Sequence, residues 1–229
     1  MIYLELPPQV TNMQKMANGL AKSMFRKISR KYDKAEHEPP KELDAMKSMM
    51  GGGGMGGLGG GGKDKEAKPG VKNGGNMVAI AAMTEMCWGD AGLALAIPGQ
   101  GLGNAAIMAA GTPEQKEQFG KCWAAMAITE PGTGSDAGNI KTTAKKDGDD
   151  YIINGEKIYI TAGGRASHVV VWANIDPTQG KAGIKSFVVP KDLPGVQLVR
   201  LEKKMGIRAS DTAAITFTNV RVPAGNLLG

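Results

Sequence analysis

The chain has 229 residues, a formal net charge of +6, 34 glycines and two cysteines, enough length to bury a sizeable core in one or two domains. Cys87 and Cys122 are too few and too far apart for a disulfide framework or a zinc site, so they read as reduced core residues and no metal ligand is assigned. The positive charge fits a polyphosphate ligand or an acidic protein better than nucleic acid. Apart from Arg26-Lys27-Ile28-Ser29-Arg30-Lys31 the basic residues are dispersed, with no stacking aromatics among them.

In chain order, Met1-Ile2-Tyr3-Leu4-Glu5-Leu6-Pro7-Pro8 offers neither a basic leader nor an apolar h-region, and no later stretch approaches about 18 uninterrupted apolar residues. The expectation is a soluble cytoplasmic protein without a membrane span. From Gln9 to about Lys31, Met13, Met16, Ala17, Leu20, Met24 and Ile28 recur at three- and four-residue steps, which predicts an amphipathic helix with a methionine-rich core face. Tyr32 to Leu43 reads as a charged link, and Pro39-Pro40 opens a short second helix to about Met50. Residues 51–72 are glycine-rich and then charged, the composition of a flexible linker. A G-x-G-x-x-G pattern inside the tract lacks the preceding strand and the following helix that dinucleotide binding requires.

Asn76 can cap a helix through Met77, Ile80, Met83 and Cys87, ended by Gly89-Asp90. Leu93 to Ala110 is interrupted by Pro98, Gly99, Gly101 and Gly103 and predicts a broken helix stopped by Gly111. Thr112-Pro113-Glu114-Gln115 then has the form of a capping box. From Trp123 the pattern changes to short strands: Trp123 to Ile128, Thr142 to Lys146, Tyr151 to Asn154, Ile158 to Thr161, His168 to Asn174, Ser186 to Pro190, Val196 to Leu201 and Ala214 to Thr218. Such spacing predicts a compact antiparallel sandwich or barrel. The fold class is therefore α+β, with an α-helical domain over residues 1–122 and a β domain over residues 123–229.

The first of these strands runs into Thr129-Glu130-Pro131-Gly132-Thr133-Gly134-Ser135-Asp136. Small residues and free amides there suit a phosphate or a carbonyl-rich ring, although a Pro-Gly turn is also ordinary loop chemistry. The stretch resembles the T-E-P-x-x-G-S-D pattern of the FAD-dependent acyl-CoA dehydrogenases. Two further matches follow in the family's order: Ile153-Asn154-Gly155-Glu156-Lys157-Ile158-Tyr159-Ile160-Thr161-Ala162-Gly163-Gly164, and Met205-Gly206-Ile207-Arg208-Ala209-Ser210-Asp211-Thr212.

The resemblance implies a flavoprotein oxidoreductase of fatty acid metabolism that removes two hydrogens from an acyl-CoA thioester, with an electron-transfer flavoprotein as acceptor. Met126, Ala127, Ile128 and Thr129 would then line the flavin pyrimidine edge. Gly134 and Ser135 would lie near the FAD diphosphate, with Ser135 also on the coenzyme A side. Tyr159 would pack on the ring, Ile160 would lie beside it, and Thr161 would bond the N5 locus. Tyr159 replaces the family's usual tryptophan, and Ala162 replaces its usual asparagine. The family's glutamate base lies on a C-terminal helical bundle, so no catalytic base is assigned in this chain. The expectation is a hetero-oligomer in which a separate chain supplies that bundle. The alternative is a truncated relative that serves as a non-catalytic acyl-CoA-binding or interaction protein.

Overall fold

The structure is a computed structural model describing residues 5–44, 74–99 and 101–229. These residues form two compact units: those of Met1–Ile97 with Lys204–Ser210, and those of Pro98–Lys203 with Asp211–Gly229. The glycine-rich tract over residues 51–72 and the end of the short second helix, residues 45–50, lie outside the described residues.

In the first unit, Pro8 opens α1 (Pro8–Leu20), which passes through a π-helical turn at Ala21–Phe25 into α2 (Arg26–Lys34). Ala17, Ala21 and Phe25 are buried, with Met13, Leu20, Met24 and Ile28 packed against the same core, as the three- and four-residue spacing requires. Met16 departs from the core stripe and is 69% exposed. Tyr32, placed by the sequence reading in a charged link, is instead fully buried on α2, because the apolar period continues through it. Its hydroxyl bonds Glu42 and accepts from the Lys41 amide at 3.3 Å. Tyr32→Phe should therefore lower stability by about 1 kcal/mol, read as a shift in the urea midpoint by far-ultraviolet circular dichroism.

Helix α3 (Gly74–Leu95) begins before Asn76, which therefore sits in its first turn instead of capping it. Asp90 leaves the helical region (φ −172°, ψ 116°) and breaks α3 where the sequence ended it. Its Oδ1 accepts from the Leu93 amide at 2.8 Å, so the aspartate caps the segment that follows. Gly89 serves packing: a Cβ there would lie 2.8 Å from Ala21 Cβ and 3.1 Å from Phe25 Cβ. Gly75–Leu95 is long and apolar enough to cross a membrane by length and composition, which the sequence reading did not anticipate. However, Glu85 within it accepts from Gln14 at 2.9 Å and Asn18 at 2.5 Å, bonds that tie α3 to α1 as a core helix of this unit. Cys87, expected in the core, is exposed. So is Trp88, which lies under Lys22 and Arg26. The segment Lys204–Ser210 is held by Glu36, which accepts from the Lys204 amide at 2.7 Å and from Arg208 at 3.0 Å.

The second unit opens with α4 (Leu102–Ala110) and α5 (Pro113–Phe119), so by packing these two helices group with the sheet, whereas the sequence boundary fell at residue 122. The capping box of α5 forms as its spacing predicts: Thr112 Oγ1 accepts from the Gln115 amide at 3.2 Å, and Gln115 Oε1 accepts from the Thr112 amide at 3.0 Å. The strands are β1 (Ala124–Ala127), β2 (Thr143–Asp147), β3 (Asp150–Thr161), β4 (His168–Asn174), β5 (Ile184–Pro190), β6 (Val196–Leu201) and β7 (Thr212–Pro223). They form one seven-stranded sheet of order β1-β4-β2-β3-β7-β6, with β5 on β4. Its core gathers Ala125, Ile153, Ile160, Val169, Phe187 and Ile215.

Two details differ from the sequence reading. The sheet is mixed: most pairs are antiparallel, but β1 runs parallel to β4, and β2 meets the far end of β4 at a parallel bridge. Strand periodicity carries no information about direction, and β1 and β4 are not neighbours in sequence. The strands expected over Tyr151 to Asn154 and over Ile158 to Thr161 are also not separated by a turn at Asn154-Gly155. Tyr151 to Asn154 and Ile158 to Thr161 belong to the single strand β3, whose register against β7 shifts between Ile153 and Gly155 and again between Lys157 and Ile160. Gly155 is needed for close approach, since a Cβ there would sit 2.3 Å from Thr142 Oγ1.

Candidate functional site

Strand β1 buries Ala125 and Ala127 in the sheet core and Ala124 on its other face with Ile107 and Phe119, and leaves Met126 partly exposed. Beyond it, half-buried Ile128 and Thr129 lead into a tight turn. The Glu130 amide donates to the Thr133 carbonyl at 2.9 Å and the Thr133 amide returns a bond to the Glu130 carbonyl at 3.1 Å, closing the chain around Pro131-Gly132. Gly134 and Ser135 follow, exposed. A Cβ built at Gly132 meets nothing within 4 Å, and one at Gly134 meets only Thr129 Cγ2 at 4.0 Å, so the loop fronts open space. The Thr133 hydroxyl, by contrast, is buried without a hydrogen-bond partner.

The second wall is the end of β3. The Ile158 amide donates to the Thr129 carbonyl at 2.9 Å, stitching the turn to this strand. Tyr159 then takes a left-handed conformation (φ 57°) at the bulge against β7 and is 64% exposed, while Ile160 returns to the core. Thr161 is half-buried, and Ala162 is again left-handed (φ 60°). Two left-handed residues that are not glycine are uncommon within one short segment. The bulge is what turns the tyrosine ring out of the sheet. Among the described residues, the hydroxyls of Thr129, Ser135, Tyr159 and Thr161 make no side-chain hydrogen bond. The structure thus joins Thr129 to the strand bearing Tyr159, Ile160 and Thr161, and sets Gly134 and Ser135 on the loop that continues from it.

Two residues outside the sequence-predicted site hold it together. Glu130 and Lys157 are both buried and their charges meet at 2.8 Å. Lys157 Nζ also donates to the Ile128 carbonyl at 2.8 Å. Glu130 accepts in addition from the Thr142 hydroxyl at 2.6 Å, the Thr142 amide at 2.9 Å and the Lys141 amide at 2.6 Å. Burial pushes the Glu130 carboxyl up, but the bonds from Lys157, Thr142 and the two amides together outweigh it and hold the group below the ordinary glutamate value. Burial pulls the Lys157 ammonium down, an effect that Glu130 partly offsets. Glu130 has its lone pairs engaged and no free face, so it is no candidate for a catalytic base. Beyond Thr161, Lys191 Nζ donates to the Gly163 carbonyl at 2.5 Å and the Gly164 carbonyl at 2.8 Å, while Asp211 accepts from the Gly164 amide at 2.7 Å. A lysine facing inward on a strand was the available signal for Lys157. Nothing in the local pattern marked Lys191.

His168 lies on β4, half-buried and edge-on to Phe119, with its Nδ1 2.9 Å from the exposed Ser167 hydroxyl, which also donates to the Trp123 carbonyl at 3.2 Å. Among the described residues no group of three or more histidine, cysteine or acidic side chains is placed to hold a metal ion.

The description of the acyl-CoA dehydrogenase N-terminal domain matches residues 7–126, and that of the acyl-CoA dehydrogenase middle domain matches residues 125–220. The chain belongs to the acyl-CoA dehydrogenase family. Acryloyl-CoA reductase (NADH) of Anaerotignum propionicum is 36% identical over 228 residues, 95% of this chain and 55% of its own length. Butyryl-CoA dehydrogenase from Megasphaera elsdenii has a structure similar to this chain with TM-score 0.83 and 30% identity, covering 100% of this chain and 60% of that one. Glutaryl-CoA dehydrogenase from Mycobacterium smegmatis, solved in complex with FADH2, matches with TM-score 0.80 and 26% identity over 97% of this chain and 55% of that one. The chain thus spans little more than half the length of these relatives.

Proposed function

We propose that these residues form the flavin-binding part of an FAD-dependent acyl-CoA dehydrogenase, completed by a helical bundle supplied from outside them. The observation that carries this reading is the pairing of an outward-turned tyrosine ring with an open glycine loop whose buried Thr133 hydroxyl lacks a partner. An apolar ring system bearing a diphosphate suits that combination, and a relative of this fold was solved with FADH2. Met126, Ala127, Ile128 and Thr129 would offer backbone groups and one hydroxyl to the polar edge of the flavin. Gly134 and Ser135 would face its diphosphate, with Ser135 turned also to the coenzyme A of the substrate. Tyr159 would cover the ring face, with Ile160 buried behind it and the Thr161 hydroxyl free to donate. When bound, FAD supplies the two-electron acceptor for hydride leaving the acyl chain, and the protein's part is position and electrostatics. An electron-transfer flavoprotein is the proposed acceptor.

A second direction of the same chemistry has specific support, because the relative that spans 95% of this chain is named a reductase of acryloyl-CoA. Thr161→Val is expected to slow flavin reduction by acyl-CoA about fivefold, the equivalent of one net hydrogen bond, at nearly constant side-chain volume. Stopped-flow absorbance of the chain assembled with the bundle reads this directly. An assembled protein that takes up no FAD, and so has no flavin absorbance, would leave the non-catalytic interaction protein as the better reading. Bleaching by saturated acyl-CoA supports the dehydrogenase direction, whereas reduced flavin reoxidised only by an unsaturated acyl-CoA supports the reductase.

A further inference from the structure

A buried ammonium is unfavourable unless every proton finds an acceptor, so the places where a fold keeps one are informative. Among the described residues of the second unit, buried Lys157 and half-buried Lys191 hold backbone carbonyls, one on each side of the Tyr159-Ile160-Thr161 segment. Lys157, fully buried, bonds the Ile128 carbonyl and Glu130 just before it. Lys191 bonds the Gly163 and Gly164 carbonyls just after it, with Asp211 fixing the Gly164 amide. Between these anchors the chain adopts left-handed backbone at Tyr159 and Ala162, a conformation that relaxes unless the flanks are fixed.

Resting on the flavin reading above, we infer that Lys157 with Glu130 and Lys191 with Asp211 are positioning residues for the flavin. They act through the backbone and touch neither flavin nor substrate. The first pair sets the spacing between the two walls, because Glu130 belongs to the turn and Lys157 to β3, and the Thr129 carbonyl is tied to the Ile158 amide beside them. The second pair sets the exit of the strand, and so the pitch of the Thr161 hydroxyl. A polar network engaged in this way specifies one geometry more sharply than apolar packing would.

The test uses the full chain with FAD as the probe. In the double variant Glu130→Gln with Lys157→Met, glutamine keeps the acceptor for Thr142 and neither buried charge is left alone. The variant should fold, as cooperative melting will show. It should bind FAD at least tenfold more weakly, alter the visible circular dichroism of the bound flavin, and exchange the Ile158 amide faster even without FAD. Lys191→Met should alter the same flavin dichroism. If the double variant does not fold, Lys191→Met is read instead, by FAD affinity and flavin dichroism. A folded variant whose affinity, flavin dichroism and Ile158 exchange match wild type overturns the positioning role while leaving the flavin reading intact. Wild-type chain that binds no FAD, alone or with the bundle, overturns both.

Discussion

Replacing Lys157 alone by methionine is expected to destabilise the sheet-bearing unit by about 3–5 kcal/mol at neutral pH. Methionine fills most of the space, so the loss is electrostatic. The Glu130 carboxylate stays buried and keeps its bonds from Thr142 and the two amides, but it has lost the cation paired with it. The double variant with Glu130→Gln should recover most of the loss, since removing both charges of a buried pair is often close to neutral. Urea unfolding followed by the fluorescence of Trp123 and Trp172, both in this unit, reads the change. Equal midpoints for the single and double variants would show that the charge left behind is not the cause.

The same pair fixes the acid limb of stability. Glu130 sits below the ordinary glutamate value of 4.5 in the folded chain, so the unfolded chain binds the proton more readily. The stabilisation is complete above the ordinary value and is lost as pH falls through the lower, folded one. In Lys157→Met one of the bonds that hold the carboxyl down is gone while burial still pushes it up, so the Glu130 pKa rises from its wild-type value and less stability is lost on acidification. The gap between wild type and Lys157→Met should therefore be widest near neutrality and narrow on acidification. A gap independent of pH between 3 and 7, roughly the span over which glutamate changes charge, would rule out this assignment.

What the sequence made legible was whatever depends on local chemistry. β4 and β6 run over the residues their strand patterns predict, and the Thr112 box caps α5 because its partners lie three residues apart. The loop after β1 and the segment Tyr159 to Thr161 were visible as patterns. Their left-handed backbone was not, since neither tyrosine nor alanine advertises it. Features set by tertiary contact were misread. Asn154-Gly155 has the composition of a hairpin turn, but its glycine answers to Thr142 on another segment. Tyr32 follows a run of charges yet points into the core, and Cys87 on an apolar helix points away from it. Lys157 stands in a matching stretch that gives it no role, because a buried ion pair needs two segments 27 residues apart to meet.

Gly103→Ala should cost about 2 kcal/mol and disturb the site without touching it. In an exposed helix the exchange would gain about 1 kcal/mol, since alanine is the better helix former. Here Gly103 lies in the first turn of α4, pressed on the backbone of β1. The added Cβ would lie 2.2 Å from the Ala125 carbonyl oxygen and 2.7 Å from that of Ala124. A backbone carbonyl cannot swing aside like the end of a side chain, so either α4 lifts or β1 shifts, and overpacking of this kind typically costs about 1–3 kcal/mol, occasionally more. Lifting is resisted by Asn104, which accepts from the Ala124 amide at 2.9 Å and donates to the Cys122 carbonyl at 2.6 Å. The strain therefore passes into β1 and along it to Met126 and Thr129. The variant should show a lower urea midpoint by tryptophan fluorescence, together with FAD affinity weakened by more than the population of unfolded chain explains. A variant as stable as wild type, with propensity prevailing over the clash, would show that α4 and β1 separate freely and that Gly103 is not what sets their distance.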